Sequence, residues 1–366
     1  MPLIVFDRVS LVRDGVVALN ELSVSIESGE LTTVVGPSGG GKTTLLRVIA
    51  GLERPTAGRV LFDGVDVQNV ASADRDVAMV FQEHALYSHK TAEANLAFPL
   101  EVRHVGEPQR SSRVAEIARA MGLDRVMNRR PNTLSLGRRN AVATGRALVR
   151  DPAILLLDEP LSNFDTKARL GARLDIRRRH QQSGATTVYA TNEQSEAMAI
   201  GDNMIVLNRG TVQQVDDPTT VYRRPANLFV ARFIGSPPMN AMTGLLEPDY
   251  PDYRLQVGDE RLLVPTRVIE QHPALHDFMG RRVVMGVRPE HVHPSTVEPF
   301  ETCLHGTCVR IEDLGEKKLA QVDLGLGEMV AYVTAPDPLP GIGNPVELAV
   351  DVNRLHFFDP DSGSSL

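Results

Sequence analysis

Along the first thirty residues apolar and polar positions alternate, in LIVFDRVSLV and then LNELSVSIESGE, the period of strands covered on one face. The pattern then changes to short continuous apolar runs, each followed by a polar or glycine-rich loop. LTTVV (31–35) reads as a buried strand, and KTTLLRVIAG (42–51) as a helix that stops at Gly51. From about 90 to 150 the helical period dominates, as in SSRVAEIARAMGL. Further buried strands, AILLL (153–157), TTVYAT (186–191) and NMIVLNRG (203–210), follow with helices between them. Apolar strands alternating with helices predict a parallel sheet covered on both faces. After the junction FIGSPPMN (233–240) the chain turns to short strands separated by Gly, Pro and Asp, the pattern of an all-β barrel or sandwich. The expected organisation is an α/β domain over 1–235, with a helical subdomain at about 88–150, and an all-β domain over 236–366.

A chain of 366 residues has room for two such domains. No run of about 18 apolar residues is present to span a bilayer, and MPLIVFDRVSLVRDG lacks the basic start and long apolar core of a secretory signal. Cys303 and Cys308 are the two cysteines, too few for a disulfide framework and consistent with a reducing cytoplasm. A net charge of −7 argues against nucleic acid as a partner, which calls for a basic face.

The chemistry begins with GPSGGGKTT, residues Gly36, Pro37, Ser38, Gly39, Gly40, Gly41, Lys42, Thr43 and Thr44. It follows a strand, opens a helix and fits G-x-x-x-x-G-K-[ST]. Glycines let backbone N–H groups turn inward around phosphate oxygens, and the helix N-terminus adds a positive dipole end. Lys42 supplies a point charge for the β- and γ-phosphates, and the Thr43 hydroxyl is suited to ligate Mg²⁺. AILLLDEP delivers Asp158 to the tip of a second buried strand to hold the magnesium shell, and sets Glu159 beside it to orient or deprotonate water. The expected reaction is attack of water on the γ-phosphate of a nucleoside triphosphate.

With what lies between them, these residues resemble an ATPase subunit of an ABC transporter, of the sugar-importer type with an appended regulatory domain. DVAMVFQEHALY (76–87) resembles the Q-loop segment, with Gln82 sensing the γ-phosphate through magnesium. LSLGRRNAVATGRALVRDP (134–152) resembles the signature and its helix, LSNFD (161–165) the D-loop with Asp165, and TNEQSEAM (191–198) the switch loop. In the tail, FIGSPPMN, GVRPEH (286–291) and FFDPDSG resemble importer landmarks. The resemblance implies a P-loop NTPase parallel sheet with a helical insertion and an antiparallel β subdomain, then an all-β, OB-like barrel regulatory domain. It implies ATP and Mg²⁺ as ligands and two ATPase subunits, each completing the other's nucleotide site. Partners would be transmembrane permease subunits and, indirectly, an extracytoplasmic solute-binding protein, at the cytoplasmic face of the membrane.

Six positions depart from the family pattern. Asn192 stands where the switch loop carries histidine; its amide can donate a hydrogen bond but carries no charge, and it also suits capping of the next helix. Aligned by its strands, Arg13 falls where an aromatic ring stacks on adenine; a guanidinium plane can stack there, or Arg13 is a solvated turn residue. In the signature, Ser135 and Gly137 remain. Leu136 replaces a glycine, which matters if the backbone needs φ > 0, and Arg138 replaces a glutamine. The expectation is a heterodimer in which this chain binds ATP and hydrolyses it slowly. Rival readings are a regulatory subunit with negligible hydrolysis and a soluble ABC-type protein of repair or translation. Ser88 and Lys90 stand where the family has Pro and Met, predicting an altered docking partner. Cys303, His305 and Cys308 have a spacing unsuited to a metal site, and HVH (291–293) reads as a surface or packing feature. RRRH (177–180) reads as an exposed helix face.

Overall fold

Burial alternates along β1 (Ile4–Arg13) and β2 (Val16–Ile26), with Ile4, Phe6, Leu19, Leu22 and Ile26 turned inward. The computed structural model describes residues 1–81, 86–162, 164, 166–294, 303–313, 315, 318–325, 329–334 and 341–366. After the hairpin come β3 (Leu31–Val35), α1 (Lys42–Ile49), β4 (Ala57–Phe62), β5 (Val65–Asp66) and β6 (Val77–Val80). Helices α2 (Ala92–Val102), α3 (Gln109–Ala120) and α4 (Leu136–Leu148) form the insertion. The chain then returns through β7 (Ile154–Asp158), α5 (Thr166–Ser183), β8 (Thr186–Thr191), α6 (Gln194–Ile200), β9 (Asn203–Asn208) and β10 (Thr211–Asp216).

Two sheets result. One is antiparallel, in the order β2-β1-β4-β5; the other runs β10-β9-β3-β8-β7-β6 and is parallel except at its β10 edge. Every residue of β3, β7 and β8 is buried, which is why these strands read as continuous apolar or threonine-rich runs. One face of the parallel sheet packs on α1 and the antiparallel sheet through Leu45, Ile49, Phe6, Ile154 and Val188. The other meets α4 through Ala143, Ala147, Leu155 and Tyr189. Leu96, Val114 and Val142 make a separate small core inside the helical insertion. Buried Arg75 joins α1 to the antiparallel sheet, donating to the carbonyls of Val48, Ile49, Val67 and Val70 at 2.7–3.1 Å.

The chain divides into units Met1–Thr220 and Val221–Leu366. Residues 221–235, expected with the first unit, thus lie with the second. There the guanidinium of Arg288 donates to the carbonyls of Tyr222 and Ile234, and the Leu228 amide donates to Gly363. Helices α7 (Pro218–Arg223) and α8 (Leu228–Phe233) precede β11 (Asn240–Asp249), β12 (Asp252–Val257), β13 (Glu260–Val264), β14 (Arg282–Val287) and β15 (Val292–Pro294). The remaining strands are β16 (Cys303–Asp313), β17 (Lys318–Asp323), β18 (Met329–Thr334), β19 (Pro345–Val350) and β20 (His356–Phe358). They form two five-stranded antiparallel sheets, β13-β12-β11-β14-β20 and β15-β19-β16-β17-β18, over one core that includes Met242, Leu255, Leu304, Val322 and Phe357. Cys308 is in that core and Cys303 is half-buried, both as free thiols.

The RRRH stretch does not form an exposed face. Arg177 donates to the Ile200 carbonyl at 2.8 Å, Arg179 to the Ala120 carbonyl at 2.8 Å, and His180 is buried against Thr187. Only Arg178 of the four is exposed; the 3.6-residue period turns the other three toward neighbouring elements.

Candidate functional site

Strand register brings the site together. Val35, the last residue of β3, pairs with Thr191 of β8, and Asp158 of β7 pairs with Ala190. The segments that follow these three strands therefore emerge side by side at the carboxyl edge of the sheet, where open α/β sheets bind ligands.

The loop after β3 is built on glycines for steric reasons. A Cβ at Gly36 would lie 2.0 Å from the Leu207 carbonyl oxygen, and one at Gly41, where φ is 104°, 2.7 Å from that of Ala18. The Gly40 amide donates to the Pro37 carbonyl at 3.0 Å and folds the loop back on itself. Ser38 and Gly39 are exposed at its tip, and Thr44 is half-buried on α1. Lys42, first residue of α1, is 5% exposed. Its ammonium donates to the carbonyls of Gly36 and Pro37, both at 2.9 Å, and to Asn192 Oδ1 at 2.6 Å. Asn192 Nδ2 donates in turn to the Glu159 carboxylate. One amide thus spans the lysine of the glycine loop and the acid after β7. Beside it the Thr43 hydroxyl donates to Asp158 Oδ1 at 3.0 Å.

Glu159 has φ 46°, a conformation L-residues rarely adopt, and its amide donates to the Ala190 carbonyl at 2.9 Å. Burial raises its carboxyl above the usual range; nearby Lys42 opposes the shift, Asp158 adds to it, and the Asn192 hydrogen bond opposes it. Asp158 is raised by burial against the opposing Thr43 bond, Arg47 and Lys42. Lys42 is lowered by burial, with Glu159 and Asp158 resisting. These opposed shifts come from placing one cation and two acids out of water at the same strand ends.

The Thr43 hydroxyl and the buried Asp158 carboxylate are hard oxygen donors that fit Mg²⁺, an ion held by one or two protein ligands together with phosphate and water. Gln82 and Asp165 lie outside the described residues. Asn192 does not cap α6; that position is taken by Glu193, because the Asn192 amide is turned toward Lys42 and Glu159. Arg13 lies at the end of β1 with its side chain 63% exposed and 3.3 Å from Glu53, which also pairs with Arg47 at 3.1 Å. Ser135 holds the N-cap position of α4, with Gly137 and Arg138 exposed beside it. Leu136 opens the helix in helical conformation, so replacing glycine there costs no left-handed strain.

Pattern reading missed Asn95 and Arg146. Asn95, fully buried in α2, accepts from the Tyr87 amide at 2.9 Å and donates to the carbonyls of Tyr87, Lys90 and Thr91, fixing the loop before the helix. Its signal was a lone amide in the apolar run NLAFPL. Arg146 of α4 stands 5.3 Å over the Tyr87 ring, and Lys90 stands 5.2 Å over Phe98. With Phe98, Val102, Arg103 and Arg150, Tyr87 and Arg146 line a cavity of about 460 Å³.

The sequence matches three family descriptions: ABC transporter over residues 19–162, MalK OB fold domain over 235–292 and TOBE domain over 285–358. The trehalose/maltose import ATP-binding protein MalK of Thermococcus litoralis is 39% identical over 96% of each chain. The sn-glycerol-3-phosphate import ATP-binding protein UgpC of Yersinia enterocolitica is 40% identical over 96% of this chain and 95% of its own. UgpC of Escherichia coli K12 is 39% identical over 94% of each. A solved dimeric ATP-binding cassette in a post-hydrolysis state bound to ADP and Pi aligns with a TM-score of 0.54 and 28% identity, covering 59% of this chain and 98% of that one. Similarity at this level along nearly its whole length means that the chain belongs to the ABC transporter ATP-binding protein family.

Proposed function

We propose that the chain binds Mg-ATP and hydrolyses it to energise import of a carbohydrate or polyol-like solute, as the slower half of a heterodimer of ATPases. The observation that carries this reading is the Lys42–Asn192–Glu159 bridge beside the Thr43–Asp158 pair, at the mouth of a loop shaped for phosphate. The import names of the relatives support the solute class.

Lys42 and the loop amides would hold the β- and γ-phosphates, with Arg13 near the base. Thr43, Asp158 and Gln82 would hold Mg²⁺, which when bound neutralises phosphate charge. Glu159 orients a water and takes its proton as the water oxygen bonds to the γ-phosphorus; the bond to the β–γ bridging oxygen breaks, leaving ADP and phosphate. Asn192, positioned by Lys42, keeps Glu159 in line. Ser135, Leu136, Gly137 and Arg138, with Asp165, would face the nucleotide of the second subunit. Among the described residues no helix is long and apolar enough to cross a membrane. As in an import system, the chain would sit at the cytoplasmic membrane face through permease subunits, with the cavity around Tyr87 and Arg146 as their seat and a solute-binding protein acting from the far side.

A second reading, a regulatory subunit that binds ATP with negligible hydrolysis, is favoured by one observation: Asn192 offers the site a neutral amide. Single-turnover hydrolysis of Mg-ATP by the purified chain separates the two. Slow turnover that rises about 10²–10³-fold on Asn192→His supports the proposal. No turnover in either protein supports the regulatory reading. Co-purification with permeases and a second ATPase tests the assembly.

A further inference from the structure

Glu196 is a buried acid that the hydrolytic chemistry leaves unused. It lies on α6, one turn after Asn192, and is 1% exposed. Its Oε2 accepts from the Tyr189 hydroxyl at 2.8 Å and from the Thr191 hydroxyl at 2.9 Å. Tyr189 and Thr191 are two apart on β8 and so face the same way. The Thr191 hydroxyl oxygen also accepts from the Glu193 amide at 3.0 Å, so both chain neighbours of Asn192 are tied to one carboxylate.

On the other side stands Arg169 of α5. Its Nε is 3.5 Å from Glu196 Oε1, its Nη1 is 3.7 Å from Glu193 Oε1, and its Nη2 donates to the Phe164 carbonyl at 3.0 Å. Phe164 belongs to the LSNFD stretch. A charge buried this deeply persists only when hydrogen-bonded and paired, and a packed apolar side chain is commonly at least as stabilising. Here the carboxylate fixes geometry, meeting β8 through two hydroxyls and α5 through Arg169.

We infer that Glu196 and Arg169 are positioning residues: they hold the turn that aims Asn192 at Lys42 and Glu159, and they tether it to the main chain at Phe164. Displacement of the main chain at Phe164 is thereby passed to the hydrolytic groups. The inference rests on the reading of Asn192 and Glu159 given above. Tyr189, beneath the carboxylate, is held well above the usual tyrosine range by burial and by Glu196, so its hydroxyl stays a donor.

The test uses the full chain with Glu196→Gln, which keeps an acceptor for both hydroxyls while removing the charge facing Arg169, and with Thr191→Val, which keeps the shape. Each is made alone and together with Asn192→Ala. The expected result is a fall in kcat of about 10- to 100-fold, the effect of misplacing a group at the reacting centre, with KM for Mg-ATP within about threefold. Combined with Asn192→Ala, neither change slows the enzyme further, because both act through that residue. Hydrogen exchange in a peptide spanning 190–198 rises in both variants. Wild-type kcat in both variants, or losses that multiply with that of Asn192→Ala, would overturn the inference. A wild-type chain with no turnover would refute the hydrolytic reading instead; exchange then decides the positioning role, unchanged protection overturning it.

Discussion

Replacing Asn192 by alanine separates nucleotide binding from hydrolysis. The Lys42 ammonium loses its 2.6 Å contact to Asn192 Oδ1 but keeps the carbonyls of Gly36 and Pro37 at 2.9 Å. The lysine therefore stays aimed by two of its three hydrogen bonds, and ATP affinity should fall less than kcat does. Glu159, a partly buried carboxylate, loses an amide donor. A hydrogen bond to a charged group is worth about 1.5–3 kcal/mol, and at 1.36 kcal/mol per tenfold this predicts a drop in kcat of about 10- to 150-fold. Asn192→Asp keeps the shape and sets a carboxylate against Glu159, so kcat falls at least as far. The assay is phosphate release in a single turnover at enzyme excess, with affinity from a fluorescent ATP analogue. Unchanged release by the alanine variant, or lost binding with an unchanged rate for bound nucleotide, would refute the reasoning.

Gly36→Ala places a Cβ 2.0 Å from the Leu207 carbonyl oxygen; it should abolish measurable ATP-analogue binding and lower Tm, and retained binding would contradict the steric account of the loop. Arg75→Ala strands four carbonyl contacts and should cost at least about 3 kcal/mol in urea denaturation of the full chain. His356 is held down to about 4 by burial, with Arg288, His272 and His291 adding repulsion. As pH falls through the ordinary histidine range the unfolded chain takes up this proton before the folded one, so stability is lost between about pH 6.5 and 4, by up to about 3 kcal/mol. His356→Phe should flatten that part of the Tm-against-pH curve, and an unchanged slope would exclude His356 as its source.

The sequence by itself determined the elements and the chemistry that sits directly on them. Continuous apolar runs could only be buried strands, the glycines of GPSGGGKTT could only mark a tight turn, and both acids after AILLL had to stand at a strand end. These are local properties, set by side-chain period and backbone sterics within a few residues. Tertiary structure decided the rest. That Asn192 turns back to bridge Lys42 and Glu159, and leaves the cap of α6 to Glu193, depends on the register of β3, β7 and β8. That three residues of RRRH are engaged, and that residues 221–235 join the second unit, depends on partners far along the chain, as Leu228 and Gly363 are. Asn95, Arg75 and Glu196 are buried polar residues whose nearby partners meet them only once the intervening turns have folded. A buried polar side chain is stable only where donors and acceptors converge on it in space, and apolar periodicity along the chain does not record which groups the folded backbone turns toward it.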